Sequence, residues 1–162
     1  MLNADLSRCT ELLLEKKLTI AFAESASAGR MVAEFSMVPN AGKFLKGGFV
    51  CYDACLKEDI LEVPKKLVEQ FTPESPEVTK AIAEGLSKLI KADIHIGVTG
   101  LPAPGGSETP EKPVGTMFIC CIYKNKELFA ERVIFNGEPE EIILRTVFHT
   151  AELLANKLQF LE

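Results

Sequence analysis

Tryptophan is absent from this chain of 162 residues, and histidine and tyrosine occur only twice each. Basic residues are also too few for a broad positive surface, since 18 lysines and arginines stand against 23 aspartates and glutamates, for a net charge of −5 at pH 7. A protein that binds nucleic acid through a wide basic face is therefore not expected. A small local phosphate site is still compatible with this charge.

Long apolar runs are missing as well. No run approaches the roughly 20 residues that a helix needs to cross a bilayer, so no membrane association is expected. Apolar residues nevertheless make up 47% of the chain and charged residues 25%, which is typical of a globular protein. A chain of this length can bury a sizeable core without metal or disulfide support, and we expect a single domain over residues 1–162.

Cysteines number five, an odd count without a disulfide framework, and the first residues lack the pattern of a secretory leader. We therefore expect reduced, buried thiols and a cytoplasmic location. Cys120 and Cys121 are adjacent and would point to opposite faces of a strand. With only His95 and His149 as histidines, no metal site is expected.

The order of helical and strand patterns predicts an α/β domain. The predicted helices are residues 2–16, 27–37, 57–61, 64–71, 79–90 and 138–158. The predicted strands are residues 19–22, 47–52, 93–98, 114–123 and 128–135, of which the last two form a hairpin around residues 124–126. We expect a three-layer α/β/α sandwich whose central sheet is mixed and mostly parallel.

The most informative segment is residues 18–29, in which an apolar strand runs directly into two serines among small residues. A serine held where a strand turns into a helix lies beside backbone N–H groups that can receive an oxyanion or a phosphate. Ser25 and Ser27 are therefore candidates for nucleophile and anion ligand. The alternative interpretation is that one of them caps the following helix, as serine often does.

A long polar loop, residues 99–113, follows strand 93–98 and carries four prolines and three glycines. Loops of this length in compact domains are usually functional or disordered. In an open α/β sheet, ligands bind outside the carboxyl ends of parallel strands, so this loop and the serine segment would share one edge. Its glycines form neither a P-loop nor a dinucleotide fingerprint, which argues against a typical ATPase or dehydrogenase.

Neither histidine is placed to complete a Ser-His-Asp triad. His95 lies in a strand, where a packed and hydrogen-bonded ring is expected, and His149 lies on the last helix. A lysine in a desolvated position can replace histidine as the base. Lys57, just after strand 47–52, is the best placed, with a solvated lysine at a helix start as the alternative.

Two further charged residues have two interpretations each. Glu24 could accept a hydrogen bond from the backbone or from an amine, or could be an exposed carboxylate in the turn. Lys112, in the long loop, could hold a phosphate or be solvated.

Three segments carry motifs in the order and with the spacing of a known family. Residues 23–29, A-E-S-A-S-A-G, correspond to A-E-S-C-T-G-G, and residues 47–57, G-G-F-V-C-Y-D-A-C-L-K, to G-G-F-V-x-Y-S-N-E-A-K. Residues 99–106, T-G-L-P-A-P-G-G, correspond to T-G-I-A-G-P-G-G, and residues 111–116, E-K-P-V-G-T, are identical to the motif. The chain thus resembles the CinA C-terminal family, whose active members are nicotinamide mononucleotide (NMN) deamidases.

The resemblance implies that the carboxamide of NMN is hydrolysed to give nicotinic acid mononucleotide and ammonia, with no cofactor. The family's catalytic serine and lysine match Ser25 and Lys57, so that Ser25 would attack the amide carbon while Lys57 takes and returns the proton. The implied substrate-binding residues are Ser27, Gly29, Tyr52, Thr99, Gly100, Gly105 and Gly106. The implied partners are the small-molecule nucleotide and further copies of the chain in a homo-oligomer.

Several positions depart from the family pattern. Ala26, Ser27 and Ala28 replace its Cys, Thr and Gly, and residues 53–56 replace its Ser-Asn-Glu-Ala. Pro139 ends the tripeptide that stands in place of the family's Gly-Asp-Arg, and a proline cannot hold a phosphate. The family's frequent N-terminal domain is absent, so a stand-alone form is expected. Three hypotheses follow: an NMN deamidase, a pyridine-nucleotide-binding protein without turnover, and an amidase for another carboxamide.

Overall fold

Helices alternate with strands in the computed structural model, which describes residues 1–162. The helices are α1 (Ala4–Glu15), α2 (Arg30–Ser36), α3 (Ala54–Asp59), α4 (Lys65–Phe71), α5 (Pro76–Leu89) and α6 (Pro139–Leu158). The strands are β1 (Ile20–Glu24), β2 (Leu45–Val50), β3 (Ile94–Gly100), β4 (Thr116–Tyr123) and β5 (Lys126–Ile134). Every predicted helix and strand is present, with its ends shifted by three residues or fewer.

The five strands form one sheet in the order β2-β1-β3-β4-β5. Strand β1 pairs in parallel with β2 and with β3, whereas β4 is antiparallel to both of its neighbours, so β4 alone runs in the opposite direction. The predicted mixed and mostly parallel sheet is therefore confirmed. Because β1, β2 and β3 run in the same direction, their carboxyl ends meet at one edge of the sheet.

Helices cover both faces of the sheet, which confirms the three-layer sandwich. Helices α1, α2 and α6 pack on one face and α4 and α5 on the other. Strand β1 is buried along its whole length. Ile20 and Phe22 belong to the core on the side of α1, α2 and α6, and Ala21 and Ala23 belong to the core on the side of α4 and α5. A strand buried on both faces has apolar residues at every position, which explains the continuous apolar run before the serines.

The β4–β5 hairpin forms as predicted. Lys124 and Asn125 have φ values of 47° and 67°, and Tyr123 pairs with Lys126 across the turn. Two successive residues with positive φ are what a tight two-residue hairpin turn requires.

All five cysteines are free thiols, and four of them are buried, Cys55 being exposed. Cys121 belongs to the core under α1, α2 and α6, whereas Cys120 packs with Ala83 of α5 on the opposite face, as predicted for adjacent strand residues. No group of three or more histidine, cysteine or acidic side chains is arranged to hold a metal ion. None of the helices combines the length and the apolar character needed to span a membrane.

Candidate active site

Ser25 and Lys57 meet at the carboxyl edge of the sheet. Ser25 follows β1 directly, and its backbone N–H donates to the carbonyl of Val98 in β3 over 3.0 Å, which fixes the start of the turn. Lys57 lies in the last turn of α3, and its Nζ is 2.9 Å from Ser25 Oγ. The parallel pairing of β1 with β2 thus brings together two side chains that are 32 residues apart in the chain.

The Lys57 side chain is only 1% exposed, so the alternative of a solvated lysine is wrong. Its Nζ also donates to the carbonyl of Cys51 over 2.8 Å, and it has no carboxylate within ion-pair distance. Burial lowers the pKa of Lys57, because removal from water disfavours the ammonium form. A lowered pKa increases the neutral fraction of the amine at a given pH, and the neutral amine can accept the proton of the serine hydroxyl.

The side-chain carboxylate of Glu24 caps α2. Glu24 is fully buried, and its two oxygens accept from the backbone N–H groups of Met31 at 2.7 Å and Val32 at 3.2 Å. Ser27 donates its hydroxyl to the same carboxylate over 2.7 Å. The alternative interpretation that one of the two serines caps this helix is therefore wrong, and so is the alternative of an exposed Glu24. The first-turn amides of α2 that donate to Glu24 are therefore not available to an anionic ligand.

The turn between β1 and α2 has two residues with positive φ. Ala28 has a φ of 47° and Gly29 a φ of 96°. The Ala28 methyl group is exposed and does not line the cavity beside Ser25. Ala28, one of the departures from the family pattern, therefore changes the backbone strain of the turn and leaves the space beside the nucleophile unchanged.

A cavity of about 230 Å³ opens beside Ser25. It is lined by residues that follow β1 and β2, by the end of β3 and the long loop after it, and by the α4–α5 turn: Ser25, Ala26, Tyr52, Glu74, Gly100, Leu101, Pro102, Ala103, Pro104, Gly105 and Gly106. Ala26 is a candidate oxyanion donor, because its N–H lies directly after the nucleophile and donates to no backbone carbonyl. Tyr52, whose side chain is 69% exposed, gives the cavity an aromatic wall.

The structure brings together most, but not all, of the residues that the resemblance singles out. Tyr52, Gly100, Gly105 and Gly106 line the cavity with Ser25. Thr99 does not, because it is fully buried and its hydroxyl pairs with that of Thr79 at 2.8 Å.

Ser27 and Gly29 lie away from this cavity as well. They line a separate groove of about 470 Å³ with Arg30 of α2 and Glu140 and Ile143 of α6. The Arg30 guanidinium in this groove is paired with Glu34 at 2.8 Å and with Glu140 at 3.3 Å.

The long loop is held against the α4–α5 turn by Lys112. Its Nζ donates to Thr72 Oγ1 at 2.7 Å, to the Glu74 carbonyl at 2.8 Å and to Ser107 Oγ at 2.8 Å. Burial lowers the pKa of this lysine. Lys112 is therefore neither solvated nor a free phosphate ligand, and its three bonds fix the position of the loop.

Glu108 occupies two backbone amides of the same loop. Its carboxylate oxygens accept from the N–H groups of Gly105 and Gly106, each at 2.8 Å. These hydrogen bonds lower the pKa of Glu108, because they stabilise the carboxylate form. Two amides that could face an anionic ligand are thus already bonded to a carboxylate of the chain itself.

Sequence reasoning missed Glu74 and Glu108. Glu74 comes from the turn between α4 and α5, and nothing in its local spacing indicates that it reaches the end of β1. Glu108 stands in the glycine-rich loop, where its position could have suggested a hydrogen bond to a neighbouring amide. The histidines were placed correctly: His95 is buried and its Nε2 lies 2.6 Å from the Ile90 carbonyl, and His149 lies beside Glu152 of α6.

Comparison with known proteins identifies a family that shares this fold and sequence. The family model of the CinA C-terminal domain matches residues 4–158. A CinA-like protein of Dictyoglomus thermophilum is 35% identical over 148 residues, which cover 91% of this chain and 36% of that protein. The chain spans about a third of the length of the curated relatives it matches.

Crystal structures of two bacterial proteins superpose on nearly the whole chain. A competence-damaged protein (CinA) superfamily protein from Klebsiella pneumoniae has a TM-score of 0.91 at 22% identity, covering 97% of both chains. A protein of the same superfamily from Escherichia coli has a TM-score of 0.86 at 26% identity, covering 96% of this chain and 90% of the other. These structures show the same fold.

Proposed function

Because the chain belongs to the CinA C-terminal domain family, we propose that it is an amidohydrolase with Ser25 as nucleophile and Lys57 as general base. One observation carries the proposal: Ser25 Oγ lies 2.9 Å from the Nζ of a buried lysine whose pKa is lowered. A hydroxyl at this distance from a neutral amine can lose its proton as it attacks an acyl carbon. The reaction requires neither a histidine nor a metal ion.

The reaction proceeds in two halves. Ser25 Oγ bonds to the amide carbon while its proton passes to Lys57, and the N–H of Ala26 stabilises the developing oxyanion. Lys57 then gives the proton to the amide nitrogen, the C–N bond breaks, and ammonia leaves an ester on Ser25. Water attacks this ester while Lys57 takes its proton, and the proton returns to Ser25 Oγ as the carboxylic acid is released.

We propose NMN as the substrate, with nicotinic acid mononucleotide and ammonia as products. The support is the ordered agreement of residues 23–29, 47–57 and 99–116 with the family motifs, and the lining of the cavity by segments of all three. In this proposal the carboxamide lies beside Ser25 and the remainder of the nucleotide lies along the loop.

Ammonia release from NMN tests this proposal. We expect Ser25→Ala and Lys57→Ala each to lower kcat by at least about a hundredfold, because a serine–lysine pair acts as a unit. Ser36→Ala and Lys66→Ala, at exposed positions on α2 and α4, are the matched controls and should retain wild-type turnover. The proposal fails if the wild-type protein releases no ammonia from any carboxamide, or if Ser25→Ala does not slow the release.

The absence of a free cation in the cavity favours a second candidate, an amidase for a different carboxamide. Lys57 is bonded to Ser25, Lys112 is bonded to the loop and to the α4–α5 turn, and Glu108 occupies the Gly105 and Gly106 amides. No basic side chain is thus left to hold a phosphate. An activity screen over nicotinamide, nicotinamide riboside and NMN separates the two candidates, and calorimetric binding of NMN without turnover would instead support a non-catalytic binding protein.

A further inference from the structure

Glu74 is the one charged side chain that lines the cavity beside Ser25. It lies in the turn between α4 and α5, half-buried, and its Oε2 accepts a hydrogen bond from Ser107 Oγ of the long loop. Its second oxygen, Oε1, accepts no hydrogen bond from the protein and lies close to Gly106, another lining residue. One carboxylate oxygen is therefore available to a molecule in the cavity.

The Glu74 carboxylate interacts electrostatically with both Lys57 and Lys112 but forms no ion pair with either. Lys112 bonds to Ser107 Oγ and to the Glu74 backbone carbonyl, and it forms no ion pair with the Glu74 carboxylate within 4.0 Å. Lys57 lies behind Ser25 and is bonded to it. Glu108 of the long loop is also negatively charged, but both of its carboxylate oxygens already accept hydrogen bonds from Gly105 and Gly106. Among the side chains that line the cavity, the only charge is therefore the negative charge of Glu74.

We propose that Glu74 is a specificity-determining residue that selects a carboxamide carried on a cationic ring over the same carboxamide on a neutral ring. The inference rests on the proposed amidase function and adds the charge of its substrate. A carboxylate a few ångströms from a ring cation, in a partly desolvated cavity, attracts it by Coulomb interaction. The same carboxylate repels the newly formed acid group of the product and so favours its release.

The test compares two substrates that differ in ring charge and carry the same carboxamide. Nicotinamide is neutral, and 1-methylnicotinamide is a permanent cation without hydroxyl or phosphate groups. We expect wild-type kcat/KM to be about tenfold or more higher for the cation. In Glu74→Gln, which keeps the acceptor for Ser107, this ratio should fall to near one, mainly through a higher KM for the cation. Glu77→Gln, at an exposed position on α5, is the matched control and should keep the wild-type ratio.

Binding to Ser25→Ala separates this inference from the proposed function. If the wild-type protein hydrolyses nothing, but Ser25→Ala binds 1-methylnicotinamide more tightly than nicotinamide only while Glu74 is present, the amidase proposal fails and the charge preference stands. If the protein hydrolyses both substrates with the same kcat/KM, or if Glu74→Gln leaves the ratio unchanged, the charge preference is overturned and the amidase proposal stands. Absence of both binding and hydrolysis of 1-methylnicotinamide overturns the preference as well.

Discussion

Single side chains determine whether the proposed chemistry can occur at neutral pH. Lys57 is buried without a carboxylate partner, and its nearest polar neighbours are a serine hydroxyl and a backbone carbonyl. These groups stabilise an ammonium less well than water does, which lowers the pKa of Lys57. An ordinary lysine in solution would be protonated and unable to act as a base.

The pH dependence of activity follows from this shift. Because the neutral amine is the active form, kcat/KM should rise as pH increases through the lowered pKa of Lys57, and should level off below the pKa of an exposed lysine. Lys57→Arg should abolish turnover, since a guanidinium does not lose its proton in this range. Steady-state ammonia release measured from pH 5 to about 10 checks both statements. A flat profile over this range would contradict the assignment of Lys57 as the base.

Ala28 has a backbone conformation that is less favourable for alanine than for the glycine of the family motif. Its φ of 47° lies in the left-handed region, which costs an L-residue about 1 kcal/mol relative to glycine. Ala28→Gly should therefore raise the free energy of unfolding by up to about 1 kcal/mol, with part of the gain offset by the greater freedom of glycine in the unfolded chain. Urea denaturation measures the change. Ala33→Gly within α2 is the control and should destabilise the protein, because glycine is unfavourable inside a helix.

Elements also depend on individual contacts, as α2 depends on Glu24. The helix has only seven residues, and its N-cap residue is Gly29, which has no side chain to cap it. Glu24 supplies the cap from the end of β1, so the strand and the helix hold each other in place. This arrangement also fixes the backbone of the intervening residues, including Ser25.

Glu24→Gln tests this capping. The amide would place an N–H donor against one of the two buried N–H groups that the carboxylate now satisfies, so we expect a loss of about 1–3 kcal/mol in the free energy of unfolding. Amide hydrogen exchange should rise most at Met31 and Val32. Glu15→Gln, at an exposed position at the end of α1, is the control. Equal stability of the two variants would contradict the capping role.

The long loop after β3 depends in the same way on Glu108. Removing its negative charge should weaken its hold on the Gly105 and Gly106 amides and make them available to a phosphate. We therefore expect Glu108→Gln to lower the KM for NMN several-fold while leaving the KM for nicotinamide riboside unchanged. Glu111→Gln, exposed in the same loop, controls for the general loss of negative charge. An equal change of both KM values would show that Glu108 acts on the loop fold and not on the phosphate.

At the scale of the whole molecule, one surface region exposes several apolar side chains, where the edge strand β2 leads into α3. Val50, Tyr52, Leu56 and Ile60 are all exposed. Exposed apolar side chains in one segment are typical of interaction surfaces, and we propose that copies of the chain associate through this region into a homo-oligomer.

Sedimentation velocity tests the association. The wild-type protein should sediment as an oligomer, and Ile60→Glu should shift it towards the monomer, because a charge in an apolar interface is costly. Leu89→Glu, at an exposed position at the end of α5, is the control. A wild-type monomer, or an Ile60→Glu variant that associates as the wild type does, would contradict the proposal.

The sequence by itself determined the order and type of the elements, the apolar strand that ends at Ser25, the hairpin turn and the absence of a histidine base. Each of these depends on the spacing of apolar residues, on backbone preference or on burial, all of which are encoded in a short stretch of sequence. The pairing of Ser25 with Lys57 was expected from the family motifs, and the structure supplies the distance of 2.9 Å between them.

Only the tertiary structure decided the partners of the charged side chains. Glu24 caps a helix that begins six residues after it, Lys112 joins the loop to the α4–α5 turn, and Glu74 enters the cavity from that turn. Thr99 and Ser27 carry hydroxyls at positions of the family motifs, yet these hydroxyls bond to buried Thr79 and Glu24 and do not face the cavity. Side-chain partners of this kind depend on which elements the sheet order brings together, because a hydrogen bond acts over about 3 Å irrespective of separation along the chain.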